Sequence, residues 1–141
     1  MFAGIGGFRA GLTRAGGFQC VGHCEIDKYA EASYRAIHDI RKEERYYPDA
    51  RAIDPNDLPT RPFVWGIPLP GVFSRWPQKR HLTHARGTLF FEIARLAETR
   101  RPSYLLLENV PGLLNHDGGR TFAAILSALS DLGVPCRMGC A

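Results

Sequence analysis

Two carboxylates and a run of glycines are the residues whose types and spacing point to chemistry. Phe2-Ala3-Gly4-Ile5-Gly6-Gly7 is a glycine-rich turn, and such a turn lets backbone N–H groups approach a ligand at the N-terminus of the helix that follows. Glu25, with Ile26 and Asp27 behind it, closes the next strand-like run. An acid about 20 positions after a glycine turn is placed to accept both ribose hydroxyls of a nucleoside cofactor. Alone, the turn would serve dinucleotides, phosphates or tight packing equally well; the carboxylate narrows it towards a nucleoside. Glu108 ends a second apolar run that begins at Ser103, which brings its carboxylate to a sheet edge. Its ordinary alternatives are a helix N-cap or an ion pair.

A fourth stretch has the form of a site without its chemistry. Phe63-Val64-Trp65-Gly66 runs into a loop holding Pro68, Pro70 and Gly71 and reaching Ser74. A buried strand stopped by Gly66 and Pro68 would deliver a reactive side chain to the carboxyl edge of a sheet. Leu69 and Pro70 occupy that place, and neither is reactive.

Positioning these groups takes alternating helices and strands. The turn leads into an amphipathic helix to about Ala15, closed by Gly16 and Gly17, and then a strand from about Gln19 to Cys24. The spacing predicts a helix from Lys28 to about His38 with Tyr29, Ala32, Ala36 and Ile37 on or near one face. Asp39 to Arg45 reads as a solvated helix end. Tyr46 to Pro62, punctuated by four prolines, reads as loop, with Ala52-Ile53 a short edge strand. A basic loop, Arg75 to Arg86, precedes a helix from about Gly87 to Thr99 with Leu89, Ile93 and Leu96 inward. Ser103 to Glu108 reads as a buried strand, and a last helix runs from about Thr121 to Leu132, ended by Gly133. The alternation predicts an α/β fold with an open, mostly parallel sheet, its strand ends gathering the glycine turn, Glu25 and the Val64–Ser74 stretch with Glu108 on one edge.

With 141 residues, 45% of them hydrophobic, the chain suits one domain or part of one. Eighteen Lys and Arg against 14 Asp and Glu give a net charge of +4, which suits a polyanionic partner without requiring one. No apolar run of about 18 residues is present and Met1 leads into glycines, so the expectation is a soluble, cytoplasmic protein with no membrane partner. Cys20-x3-Cys24 and Cys136-x3-Cys140, with His23 beside the first pair, fit a zinc spacing. The simpler expectation is a half-buried strand carrying small apolar thiols, with neither metal nor disulfide.

Taken together and in order, these motifs resemble the catalytic domain of DNA cytosine-5 methyltransferases. Phe2-Ala3-Gly4-Ile5-Gly6-Gly7 is similar to the family's cofactor turn and Glu25-Ile26-Asp27 to its ribose-binding acid. Arg86-Gly87-Thr88-Leu89-Phe90-Phe91 is similar to its fifth motif, and Glu108-Asn109-Val110 to its second catalytic motif. The resemblance covers residues 2 to about 133. It implies a Rossmann-like, S-adenosylmethionine-dependent methyltransferase sheet with helices on both faces. It also implies a monomer acting on double-stranded DNA, in a prokaryotic or phage restriction-modification setting. The implied reaction is methyl transfer to C5 of a flipped cytosine. A cysteine thiolate adds at C6, and the enamine so formed attacks the sulfonium methyl. The implied cofactor contacts are Phe2, Ala3, Gly4, Ile5, Gly6, Gly7, Glu25, Ile26 and Leu89. The implied catalytic positions are Pro68, Leu69, Ser74, Glu108 and Val110, with Glu108 holding or protonating N3.

At Leu69 the chain departs from the family, which reads Pro-Cys-Gln-x-Phe-Ser where this sequence reads Pro68-Leu69-Pro70-Gly71-Val72-Phe73-Ser74. Leucine has no ionisable group, so the covalent step has no nucleophile. If Leu69 to Phe73 were encoded by CTG, CCA, GGT, GTT and TTC, a frame one base later would spell Cys-Gln-Val-Phe-Ser. The expectation is therefore a partial catalytic domain over residues 1–141, truncated and inactive, without the family's first strand, later arginine motif, target-recognition region or final cofactor motif. Near Arg51 and Ala52 the acid that often faces the adenine is also missing. The alternative is a domain that keeps cofactor or DNA affinity without catalysis.

Overall fold

A computed structural model describes residues 1–59, 64–68, 88–109 and 112–134. The chain divides into two compact units, Met1–Leu69 with Pro102–Glu108, and Pro70–Arg101 with Asn109–Ala141.

In the first unit, helix α1 (Gly7–Ala15) follows Gly6 at φ 91° and ends at Gly16, whose N–H reaches back to the carbonyls of Leu12 and Thr13. Strand β1 (Gly22–Cys24) passes through helix α2 (Lys28–Ile37) to strand β2 (Arg45–Tyr47), which lies parallel to it with His23 opposite Tyr46. Asp27 starts α2 because its Oδ1 accepts from the N–H groups of Tyr29 and Ala30 at 2.8 and 2.9 Å, filling two donors that a helix start leaves unpaired. Single 3₁₀ turns follow at Ala50–Ala52 and Pro55–Asp57, capped by Asp49 and Asp54. Strand β3 (Val64–Pro68) lies parallel to strand β4 (Tyr104–Glu108), from Val64 opposite Tyr104 to Pro68 opposite Glu108. The parallel, α/β character matches the expectation. The described strands form two separate parallel pairs, and α1 lies beside β3.

The core of this unit is unusually polar. Cys24, Tyr34, Ala50 and Ile53 are buried, and so are His23, Glu25 and Glu31. Each ring nitrogen of His23 faces a carboxylate oxygen: Nε2 is 2.7 Å from Glu31 Oε2 and Nδ1 is 3.1 Å from Glu44 Oε1. Arg9 donates to that same Glu44 oxygen at 2.6 Å, to the Tyr34 hydroxyl at 3.2 Å and to the Asp39 carbonyl at 2.6 Å. The ring of Tyr34 stacks on His23 with centroids 4.0 Å apart, and burial pushes its hydroxyl pKa up.

This network overturns two expectations. The residues expected to face inward on α2 face solvent: Tyr29 is 72% exposed, and Ala32, Ala36 and Ile37 are exposed as well. Glu31 and Tyr34 are buried instead, because His23 offers them a ring to bond and to stack on. Glu44, within the run read as solvated, has a wholly buried side chain because Arg9 and His23 meet it.

Strand limits differ as well. Gly66 and Pro68 do not stop β3. Glycine keeps both backbone hydrogen-bonding groups, and Pro68 is the last residue, where a missing N–H costs the ladder least. β1 begins at Gly22 rather than Gln19, the second strand is Arg45–Tyr47, at the junction of the run read as solvated and the expected loop, and Ala52 closes a 3₁₀ turn rather than entering a strand. β4 is not buried on both faces; Tyr104, Leu106 and Glu108 form an exposed face.

In the second unit, α3 (Thr88–Arg100) buries Phe90, Ile93, Leu96 and Ala97 at helical spacing, with Leu89 half-buried. A short helix α4 (Gly112–Asn115) and a 3₁₀ turn at His116–Gly119 lead into α5 (Arg120–Asp131), which buries Thr121, Ile125 and Leu129. Both long helices fall within a residue of their expected limits. Gly133, at φ 70°, ends α5 by returning its N–H to the Ser130 carbonyl. Among the described residues no helix is long and apolar enough to cross a membrane, and no cluster of three potential metal ligands occurs.

Two predictions follow from how α1, α2 and the Glu44 loop are held. Glu44→Ala leaves Arg9 and His23 facing an empty place, so unfolding in urea should show a loss of about 3 kcal/mol. Backbone N–H groups of Ala30 and then Tyr29 hold the Asp27 carboxyl pKa below its ordinary 3.8. A lowered native value means that the cap contributes fully above that pH and fades as pH falls through the lower one. Asp27→Ala should therefore lower the melting temperature at pH 7, with the gap narrowing in acid, while Asp27→Asn should retain most of the cap.

Candidate functional site

The glycine turn is folded onto the end of β1. Ala3 N–H donates to the Cys24 carbonyl at 2.9 Å, Gly6 N–H to the Ala3 carbonyl at 2.9 Å, and Gly4 N–H to Glu25 Oε2 at 2.8 Å. Glu25 Oε1 accepts from Asp27 N–H at 2.9 Å. Both carboxylate oxygens are thus fixed by backbone donors, and each retains a second lone pair for a hydroxyl. Glu25 is only 8% exposed. Its own backbone is anchored through N–H to the Tyr47 carbonyl at 3.2 Å and through its carbonyl, which accepts from the Tyr46 hydroxyl at 3.0 Å.

Glycine is required at position 6 on two grounds. Its φ of 91° lies in the left-handed region, and a Cβ built there would stand 2.1 Å from His38 Nε2 and 2.9 Å from the Tyr34 ring. Gly6 is also the cap residue of α1 and no side chain caps that end, so the first-turn N–H groups present their partial positive charge to whatever binds. Ile5 follows Gly4 and Ile26 follows Glu25, so two apolar side chains, 60% and 66% exposed, flank the Gly4–Glu25 hydrogen bond. A turn of uncapped N–H groups, a fixed carboxylate and two exposed aliphatic side chains together suit a ligand with an anionic end, a hydroxylated ring and a flat apolar face.

At the other parallel pair, Pro68 and Glu108 stand opposite each other at the carboxyl ends of β3 and β4, and Glu108 is exposed. The structure therefore brings Phe2–Gly7 together with Glu25 and Ile26, and separately Pro68 with Glu108. Leu69, Ser74 and Val110 lie outside the described residues. Leu89 is on the first turn of α3, in the second unit.

The two described cysteines lack a nucleophile's character. Burial pushes the Cys24 thiol pKa up to about 11 and raises that of Cys20, which keeps both protonated near neutral pH, whereas a reactive cysteine needs its value lowered. Near Arg51, Asp49 and Asp54 spend carboxylate oxygens on 3₁₀ caps, and Arg51 Nη2 also pairs with Asp49 Oδ2 at 2.6 Å.

Sequence reasoning missed Arg9, Glu31, Tyr34, His38 and Glu44 and took His23 only with a zinc spacing; together these residues hold the turn and α2 in place. One signal was available. Asp27, Glu31, Tyr34 and His38 recur at intervals of four, three and four residues, a polar stripe along one side of the helix that an apolar count passes over.

The family model described as C-5 cytosine-specific DNA methylase matches residues 1–138. Over 133 residues the chain is 41% identical to the type II methyltransferase M1.ScrFI of Lactococcus lactis subsp. cremoris, covering 94% of this chain and 33% of that protein. It is 37% identical over 134 residues to the orphan methyltransferase M.SPRI of Bacillus phage SPR, covering 94% and 30%. With the type II methyltransferase M.SsoII of Shigella sonnei the identity is 39% over 135 residues, covering 94% and 34%. The chain spans about a third of the length of these curated relatives.

Gly4 and Gly6 should respond differently to the same change. A Cβ at Gly4 meets nothing within 4 Å, so Gly4→Ala should cost about 1 kcal/mol of backbone strain. Gly6→Ala adds a clash with two rings to that strain and should cost at least about 2 kcal/mol. Urea titration of the two variants checks the order.

Proposed function

This chain belongs to the C-5 cytosine-specific DNA methylase family, and from that premise we propose that it carries the methyl-donor site and the ring-holding carboxylate for methyl transfer from S-adenosylmethionine to C5 of cytosine in double-stranded DNA. The observation that supports this best is the Gly4–Glu25 hydrogen bond, which sets the glycine turn and the acid against one another at the end of β1. Phe2 to Gly7 frame the donor, the first-turn N–H groups of α1 take its carboxylate, and Glu25 accepts the ribose hydroxyls. Ile26 supplies apolar contact to the adenine. Bound there, S-adenosylmethionine supplies an electrophilic methyl on its sulfonium. Glu108, beside Pro68, holds or protonates N3 of the target ring, an act suited to a carboxylate at an exposed strand end.

We read the two parallel pairs as halves of one open, Rossmann-like sheet with helices on both faces, β2-β1 on one side and β3-β4 on the other. Supporting this, the Ala3 N–H already bonds the Cys24 carbonyl at the edge of β1 that β2 leaves open. Residues 1–141 then constitute part of a catalytic domain, acting as a monomer in the cytoplasm of a bacterium or a phage-infected cell. Leu69 favours a narrower role for the chain as it stands. With leucine where the thiolate would act and both described cysteines held as thiols, it binds donor or DNA and does not turn over.

Calorimetry should show S-adenosylmethionine binding at one site, weakened roughly tenfold or more by Glu25→Gln, which replaces one acceptor with a donor facing a backbone N–H. A folded chain that takes up no S-adenosylmethionine would overturn the donor site. Labelled methyl appearing in DNA would overturn the claim that this chain does not turn over.

A further inference from the structure

The glycine turn is gripped from a second side by a residue with no place in the donor contacts above. His38 caps the C-terminal end of α2, and its Nε2 lies 3.0 Å from the Ile5 carbonyl oxygen. A carbonyl only accepts, so this nitrogen carries the hydrogen. The same ring stands where a Cβ on Gly6 would be, so it touches the peptide that joins the turn to α1. His38 is itself backed by a fixed group. Its ring lies 4.7 Å from that of Tyr34, and Tyr34 is buried, stacked on His23 and bonded by Arg9.

The turn is thus clamped at two peptides, Ala3–Gly4 and Ile5–Gly6. Glu25 takes the Gly4 N–H and His38 gives to the Ile5 carbonyl. The Ile5–Gly6 peptide is planar, so it is held at both ends: its N–H turns back to the Ala3 carbonyl and its C=O receives His38, and its orientation sets where the first N–H groups of α1 point. We propose that His38 is a positioning residue for the methyl donor: its Nε2–H bond to Ile5 holds the glycine turn in the form that binds S-adenosylmethionine. The proposal rests on the donor-site reading of the turn.

Two variants of the 141-residue chain separate the bond from the packing. His38→Leu fills much of the same volume and donates nothing; His38→Gln places an amide N–H near the position of Nε2. The readouts are S-adenosylmethionine affinity by calorimetry and amide hydrogen exchange at Gly4 and Gly6, with the Tyr34 amide within α2 as the internal reference. His38→Leu should weaken affinity roughly tenfold and speed exchange at Gly4 and Gly6 by a similar factor without changing Tyr34, and His38→Gln should recover most of both. Unchanged affinity and exchange in His38→Leu would overturn the proposal, as would His38→Gln behaving like His38→Leu. If the parent chain shows a protected turn yet binds no S-adenosylmethionine, the donor site falls with the cofactor role of His38, and the exchange contrast alone decides whether His38 holds the turn.

Discussion

A carboxylate taken out of water must be paired, and in the first unit that requirement fixes almost everything else. Glu44 has a wholly buried side chain, and one of its oxygens receives both Arg9 from α1 and His23 from β1. Three pieces of chain far apart in sequence are thereby tied to one atom. His23 in turn engages Glu31 of α2, and the Tyr34 ring stacks on its imidazole. Removing any partner would leave a charge or a ring nitrogen facing low dielectric, which is costlier than never having buried the group. The unit therefore has little freedom in how α1, β1 and α2 sit together.

That rigidity is what makes a glycine turn useful. A turn with φ values of 53° and 91° at Gly4 and Gly6 is intrinsically permissive, and permissiveness works against binding unless something selects one form. Selection comes from Glu25 and His38, each anchored to the same framework: Glu25 through β1 and β2, and His38 through Tyr34. The buried charges and the exposed turn are thus parts of one device. The first supplies stiffness at the cost of desolvation, and the second uses it to present N–H groups and a carboxylate in fixed directions.

The second parallel pair follows a different economy. Val64 to Pro68 runs beside Tyr104 to Glu108 so that Pro68 and Glu108 finish level, and parallel pairing puts both carboxyl ends on the same edge. The residue that follows Pro68 in the sequence is Leu69, which carries no reactive group. Backbone pairing is indifferent to which side chain follows Pro68, so the register of β3 and β4 does not depend on the chemistry at that position.

The sequence by itself determined the features that depend on neighbours along the chain. The glycine turn, the acid about 20 residues on, the limits of α1 at Gly16, the inward face of α3, the limits of α5 and the ends at Glu108 and Gly133 all follow from local spacing, backbone freedom and helical period. It did not determine which face of α2 turns inward, that Glu44 is buried, that Arg45 to Tyr47 pairs with β1, or that His38 meets Ile5. Arg9 and Glu44 are 35 positions apart, and His38 and Ile5 are 33 apart. Whether a polar side chain is buried depends on a partner that only the folded chain brings within reach. An apolar count along one helix records hydrophobicity and not such pairings, so Tyr29 and Ile37 outscored Glu31 and His38 until the tertiary structure placed His23 and the glycine turn against them.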